Sequence, residues 1–114
     1  MTPVQRQYVT FDVKCQTLYP AQVIKSFSDR DTERLHRRQR VPRFRAFERI
    51  AQRKLRQLDS AVLLSDLNSP PGNHMEALKD DRKGQHSIRI NRQWRICFRW
   101  HDGDAYEVEI VDYH

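Results

Sequence analysis

No run of apolar side chains in this 114-residue sequence approaches the ~18 residues that a membrane-spanning helix needs. The first residues, MTPVQRQYVTFDVKCQ, also lack the continuous apolar stretch of a signal peptide. Cysteine is scarce, and the two that occur, Cys15 and Cys97, lie far apart in unlike contexts, which favours reduced thiols. We therefore expect one cytoplasmic domain that needs neither a membrane anchor nor a disulfide.

Acidic residues are outnumbered, 15 Asp and Glu against 21 Lys and Arg, so the net charge is +6. Between Arg34 and Leu58 the only acid is Glu48, against ten basic residues: Arg34, Arg37, Arg38, Arg40, Arg43, Arg45, Arg49, Arg53, Lys54 and Arg56. A solvated helical face explains most charge runs. A run as one-sided as this favours an anionic partner, either nucleic acid or an acidic protein.

The first half of the chain has a helical period. Ser28, followed three residues later by Asp31, is a weak capping-box pattern and predicts a short helix to about Arg38. Pro42 stands where a first helical turn accepts proline. Beyond it, apolar residues at three- and four-residue spacing predict one amphipathic helix with an arginine-rich back: Phe44, Phe47, Ile50, Ala51, Leu55, Leu58 and Val62. The proline-rich segment 65–73 predicts a loop.

The second half changes to a period of two, which predicts strands with one buried face. The buried residues are expected at these positions: Ile88 and Ile90; Trp94, Ile96, Phe98 and Trp100; Tyr106, Val108 and Ile110. Two further short strands are predicted at 74–78 and 8–13, and hairpin turns at 91–93 and 101–104. Helices followed by an antiparallel meander predict an α+β fold, with N-terminal helices packed on an antiparallel β-sheet.

Arg95 and Arg99 belong to the opposite side of their strand from the tryptophan-bearing stripe. An arginine that projects from a sheet can bind two phosphate oxygens with its planar guanidinium. The alternative is an ordinary cross-strand partner for Glu107 or Glu109. The alternation alone leaves both interpretations open.

A set of short motifs in fixed order resembles the HigB branch of the RelE-type toxins of bacterial toxin–antitoxin systems. The motifs are IKSF at 24–27, a Leu-Lys pair before DDRKG, SIRIN followed by WRICF, then GDAY and a final DYH. The resemblance runs from about residue 24 to residue 114. It implies a small RNase-like α+β fold, ribosome-dependent cleavage of mRNA, and neutralisation by a HigA-like antitoxin with a helix-turn-helix domain. Operator DNA would be bound only through that complex.

Carried over residue by residue, the resemblance implies a catalytic site that includes Lys79, Arg95, Asp112, Tyr113 and His114. Cleavage by the neighbouring ribose 2′-OH needs a base, an acid for the leaving oxygen, and cations for the charge on phosphorus. Arg95 and Lys79 are expected to supply the cations and His114 the acid. Tyr113 would orient the 2′-OH or stack on a base, and Asp112 would accept a proton or orient His114. No metal and no cofactor are expected.

Some relatives carry a histidine where this chain has Glu76, so Glu76 is either the general base or a surface carboxylate. Alternation along a strand sends Glu76 and Lys79 to opposite faces, so both can serve one site only if the chain bends between them. Further RNA or ribosome contacts are expected at Arg45, Arg49, Arg53, Arg82 and Arg99.

Two other functions are consistent with parts of this pattern. A toxin of the same fold without RNase chemistry, directed for example at gyrase, does not need the lysine, the arginine and the terminal histidine together. A basic nucleic-acid-binding module explains the 34–58 arginines and predicts salt-dependent binding without cleavage. Residues 1–22 precede the resemblance, and we expect them to be an extension ahead of a single domain at 23–114, with the natural start of translation at Val23.

Overall fold

The computed structural model describes residues 22–113. The strand predicted at 8–13, Cys15 and His114 lie outside the described residues. Two helices come first: α1 spans Arg30–His36 and α2 spans Glu48–Asp59. The N-cap of α1 is Asp29, whose carboxylate accepts a hydrogen bond from the Thr32 N–H at 3.0 Å. The predicted cap at Ser28 is therefore wrong by one residue.

The single helix predicted from Phe44 to Val62 is divided into two parts. A 3₁₀ turn covers Pro42–Phe47, and the α-helical period begins only at Glu48. The helix ends at Asp59, and the N–H of the next residue, Ser60, bonds to the Gln57 carbonyl at 3.3 Å. Val62 is consequently 76% exposed and outside the helix, and Ile50, 37% exposed, is outside the buried stripe. The stripe that remains is fully buried: Ala51, Leu55 and Leu58.

A four-stranded antiparallel sheet follows the helices. Its strands are β1 Glu76–Ala77, β2 Gln85–Arg89, β3 Trp94–His101 and β4 Asp104–Asp112, in the order β1-β2-β3-β4. Ahead of α1, Ile24 and Phe27 form parallel bridges to β4 at Ala105 and Val108. The β3–β4 hairpin turns at Asp102 and Gly103, which both have positive φ, as a two-residue hairpin turn requires.

The core lies between the helices and one face of this sheet. The sheet contributes fully or almost fully buried side chains to it: Ile88, Ile90, Ile96, Phe98, Ala105, Val108 and Ile110. Trp94 packs on the two rings of the 3₁₀ turn, with ring centroids 5.8 Å from Phe44 and 5.1 Å from Phe47. The predicted α+β fold with helices on an antiparallel sheet is confirmed. Among the described residues no helix is long and apolar enough to cross a membrane.

A β-bulge in β4 changes which residues face the core. Cys97 lies opposite Glu109 and Arg99 opposite Tyr106, so two residues of β4 stand against one of β3. The extra residue is Glu107, whose φ is +53°. As a result Ala105 is buried in the core and Tyr106 is only half-buried. The prediction that Tyr106 belongs to the buried stripe is wrong, because simple alternation does not continue through a bulge.

The turn between β1 and β2 requires a glycine at position 84. Gly84 has φ +93°, and a Cβ built on it would lie 2.8 Å from Nη1 of Arg99. We predict that Gly84→Ala lowers the free energy of unfolding by about 1–2 kcal/mol, because left-handed backbone is costly for a residue with a Cβ. Urea denaturation would measure the change.

Gly72→Ala is the matched control for this prediction. Gly72 has no positive φ, and its added Cβ would meet no atom within 4 Å. Its free energy of unfolding should stay within about 0.5 kcal/mol of the wild type, as for most surface changes. Equal effects of the two substitutions would contradict the argument from backbone conformation.

Candidate active site

The sheet face turned away from the helices, here called the second face, carries a polar row. Cross-strand register places Glu76 opposite Ser87, Ser87 opposite Cys97, and Cys97 opposite Glu109. Paired residues share a face, so the four side chains form one line across the sheet. Ser87 and Cys97 are fully buried. The expectation that each strand has only one buried face is therefore wrong in the middle of the sheet.

Arg82 covers the middle of this row. Its Nη1 donates to Gln85 Oε1 at 3.0 Å and to Glu109 Oε1 at 3.3 Å. Burial raises the pKa of the Cys97 thiol to about 11. The neighbouring charges have smaller effects in opposite directions, since Arg82 lowers this pKa and Glu109 raises it. Since the thiolate is the reactive form, Cys97 is an unreactive thiol near neutral pH.

Among the described residues the second face carries four arginines, which differ in what holds them. Arg89, the register partner of Arg95, donates from Nε to the Asn91 carbonyl at 3.1 Å. Arg82 pairs with Glu109, and Arg99 pairs with Glu107 through Nε and Oε1 at 3.1 Å. The cross-strand alternative considered for the strand arginines is thus confirmed for Arg99.

Arg95 is bound by neutral acceptors instead. Its Nε donates to Ser87 Oγ at 2.7 Å, and its Nη2 donates to the His74 carbonyl. Among residues 22–113 no carboxylate lies within ion-pair distance of Arg95. Within the described residues, therefore, no ion pair offsets its positive charge.

The end of β4 lies beside Arg95. Arg95 is paired with Val111 and Trp94 with Asp112. Gln93, just before β3, donates from Nε2 to Asp112 Oδ2 at 3.0 Å, and its carbonyl accepts from the Tyr113 N–H at 2.6 Å. Arg95, Asp112 and Tyr113 therefore lie at the same end of the sheet, but register places Asp112 on the helix-side face with Trp94 and not on the face of Arg95. The predicted acid, His114, lies outside the described residues.

Glu76 and Lys79 sit at different levels of the sheet. Glu76 is exposed on β1, across from the Ser87 hydroxyl that contacts Arg95, and so belongs to the Arg95 end. The strand ends at Ala77, and the Leu78 N–H bonds to the carbonyl of Gln85, whose register partner is Arg99. The exposed Lys79 follows Leu78, so the backbone does not bring it to the level of Arg95. Long side-chain reach is needed if Lys79 serves the same site.

The arginines of segment 34–58 fall into two groups. Arg34, Arg37 and Arg43 form ion pairs with acids at α1: Asp29, Asp31 and Glu33. The other six make no ion pair within the described part of the chain; besides Arg38 and Arg56, these are the four here called the arginine face: Arg40, Arg45, Arg49 and Arg53. They line a groove of about 560 Å³ together with Phe47 and Ile50. This groove belongs to α2 and its preceding turn, separate from the second face.

Sequence reasoning missed the groups that support Arg95. Ser87 stands among alternating residues, and no sequence signal distinguishes it from a solvated serine. Lys54 was counted with the exposed cations, but it is buried and donates to Oδ1 of the fully buried Asn73. Burial, followed by the nearby Arg53 charge, lowers the pKa of Lys54. No cluster of three or more His, Cys, Asp or Glu able to hold a metal occurs in residues 22–113.

A family model described as the RelE-like toxin of type II toxin–antitoxin system HigB matches residues 21–114. Toxin HigB-1 of Vibrio cholerae is 48% identical over 60 residues, 53% of this chain and 63% of that protein. Endoribonuclease HigB of Proteus vulgaris is 38% identical over 61 residues, 54% of this chain and 65% of that protein. The match therefore spans less than two thirds of either relative's length.

A solved structure, the YoeB–YefM complex from Staphylococcus aureus, gives a TM-score of 0.48 at 17% identity, covering 80% of this chain and 97% of that one. The family assignment comes from the family model, which covers both helices, all four strands and the second face with its arginines. The chain belongs to the HigB-like family of RelE-like toxins of type II toxin–antitoxin systems.

Proposed function

We propose that this chain is an endoribonuclease toxin that cleaves mRNA in the ribosome, in the cytoplasm, and thereby inhibits translation. The observation that carries the proposal is the state of Arg95: within the described residues its guanidinium has no carboxylate partner, and it lies at the same end of the sheet as Asp112 and Tyr113. Family membership supports it, as does the name endoribonuclease given to the Proteus vulgaris relative. No metal or cofactor is part of the proposal.

The reaction we propose is attack of the ribose 2′-OH on its neighbouring phosphate. Arg95, with Lys79 reaching in from its more distant level, stabilises the negative charge that builds up on phosphorus. His114 gives a proton to the leaving 5′-oxygen, since imidazole is the side chain best suited to proton transfer near neutral pH. Tyr113 orients the 2′-OH or stacks on a base, and Asp112 orients His114. Glu76 is our candidate for the base, with Asp112 or Tyr113 as alternatives.

The decisive experiment maps cut sites on a translating mRNA in a purified translation system. We expect discrete cuts with wild-type protein and their near-loss with Arg95→Ala. Inhibition of DNA gyrase with intact mRNA would favour the RNase-free toxin instead. Salt-dependent binding to naked RNA or DNA, with no cuts on or off the ribosome, would favour the nucleic-acid-binding module.

The arginine face is proposed to contact ribosomal RNA. We predict that Arg45→Gln, Arg49→Gln and Arg53→Gln together weaken ribosome binding and reduce the slope of log affinity against log salt by about 2–3, roughly one per lost phosphate contact. Sedimentation with ribosomes at several salt concentrations would measure both quantities.

The matched control replaces the same number of charges where acids already offset them. Arg34→Gln, Arg37→Gln and Arg43→Gln change the net charge equally but lie at ion-paired positions. Their salt slope should change less than that of the first set. If the two triple variants behaved alike, net charge rather than the arginine face would govern binding. Arg82 and Arg99 are proposed as weaker RNA contacts, because each already has a carboxylate partner.

The proposed macromolecular partners are the ribosome with its mRNA and a HigA-like antitoxin with a helix-turn-helix domain. Operator DNA would be bound only through the toxin–antitoxin complex. Co-expression of this chain with its cognate antitoxin should restore growth that the toxin alone arrests. The same complex, and not the free toxin, should retard operator DNA in a gel.

A further inference from the structure

The guanidinium of Arg95 is held along one side. Nε and Nη2, which share that side, donate to Ser87 Oγ and to the His74 carbonyl. A guanidinium has five N–H groups, so these two contacts leave three, which include both N–H groups of Nη1. We infer that Ser87 and the His74 carbonyl are positioning groups that aim the free end of Arg95 at the scissile phosphate. This inference rests on the proposed function.

The chemistry of the two acceptors supports this role. A carboxylate at either place would offset the charge that the phosphate needs, as Glu109 and Glu107 do for Arg82 and Arg99. A hydroxyl and a carbonyl fix the direction of the guanidinium and leave its charge available. Ser87 is fully buried, so its hydroxyl is shielded from competing water and its contact with Arg95 Nε is short, 2.7 Å.

The carbonyl support is built into the fold as well. His74 has a left-handed backbone, φ +41° and ψ +54°, immediately after the 3₁₀ turn Pro71–Asn73. The Asn73 side chain fixes that turn, because its Nδ2 donates to the carbonyls of Leu67 at 3.1 Å and Ser69 at 3.3 Å. Its Oδ1 accepts from the buried Lys54 of α2. A continuous set of contacts therefore runs from the helix layer to the guanidinium.

Removal of the serine hydroxyl tests the inference. In single-turnover cleavage on the ribosome, Ser87→Ala should lower the maximal rate by about 10–100-fold, since small misplacement of a catalytic group has effects of this size. The concentration of ribosomes for half-maximal rate should change less than about twofold. Ser60→Ala is the matched control, because it removes a hydroxyl bonded to the Gln57 carbonyl on the exposed end of α2. Its rate should equal that of the wild type.

A double-mutant cycle separates positioning from general damage. In an Arg95→Ala background, Ser87→Ala should have no further effect on the residual rate, because the group that Ser87 positions is already absent. Independent, multiplying losses would overturn the inference.

A second measurement does not depend on activity. The ¹⁵N-detected Nε–H signal of Arg95 should exchange slowly with solvent in the wild type and faster in Ser87→Ala, with the amide spectrum otherwise preserved. An unchanged Arg95 signal would overturn the inference even if cleavage fell. Wild-type protein that cuts no mRNA would overturn the proposed function and the catalytic role of Ser87 together, while the Nε–H signal would still report whether the contact exists.

Discussion

Arg95→Ala is expected to lower the rate of ribosome-dependent mRNA cleavage by about 10²–10³-fold, the usual cost of removing one group that stabilises transition-state charge. Within the described residues Arg95 makes no ion pair with a carboxylate, and it lies at the same end of the sheet as Asp112 and Tyr113. Arg95→Lys should recover only part of the rate, because an ammonium keeps the charge but cannot bind two phosphate oxygens in the same plane.

The fold should survive this substitution. Loss of Arg95 leaves the Ser87 hydroxyl and the His74 carbonyl without their donor, at a cost of roughly 1–3 kcal/mol. Arg99→Ala, on the same strand and face, is the comparison, and we expect it to lower the rate by about tenfold at most. Thermal melting would verify folding in both variants. An Arg95→Ala protein that cut within about threefold of the wild-type rate would remove Arg95 from the mechanism.

Deletion of Tyr113 and His114 is expected to lower cleavage by at least ~10²-fold, the lower bound for a lost proton-transfer group. His114→Gln should reproduce most of that loss with a side chain of similar size. The reason is chemical, since Tyr113 is 37% exposed and adds little to the core.

Stability and antitoxin binding should be almost unchanged in the deletion variant. Among the described residues the deletion removes the bond from the Tyr113 N–H to the Gln93 carbonyl, whereas the pairing of β3 with β4 through Asp112 remains. A thermal midpoint within a few degrees of the wild type, together with lost cleavage, would support the assignment. Cleavage at the wild-type rate would limit the catalytic groups to Lys79, Arg95 and Glu76.

The sequence was sufficient for the parts of the fold that depend on regular periods. The change of period from helix to strand predicted the α+β class and the two hairpins, because each period reports directly which side chains face the core. The prediction of buried and exposed residues failed where the backbone departs from a regular period. The 3₁₀ turn at 42–47 and the helix end at Asp59 interrupt the helical period, so Ile50 and Val62 were assigned to the wrong environment. The bulge at Glu107 interrupts strand alternation, so Tyr106 was too.

The candidate site was predictable only as a set of residue types. Motif resemblance selected Arg95, Asp112 and Tyr113, and register explains why they lie at the same end of the sheet, since the start of β3 pairs with the end of β4. The burial of Ser87 and Lys54 was not predictable, because it depends on tertiary contacts with segments far away in sequence. The ion-pair partners were not predictable from the sequence either. Alternation allowed Glu107 or Glu109 to pair with Arg95 or Arg99, but in the structure Glu107 pairs with Arg99 and Glu109 with Arg82.

The segment ahead of α1, which forms parallel bridges to β4 through Ile24 and Phe27, also affects the order in which the parts of the domain fold. The Glu107 N–H donates to Ser26 Oγ at 2.9 Å, a contact between residues 81 positions apart. Closing a loop of that length costs on the order of 4 kcal/mol in chain entropy. Contacts so distant in sequence slow folding, because that entropy is lost before the contacts form. On a growing nascent chain, α1, α2 and the β2–β3 hairpin can form early, but the sheet edge must wait until β4 has been synthesised. The toxin therefore reaches its complete fold late, after almost all of the described chain has left the ribosome that made it.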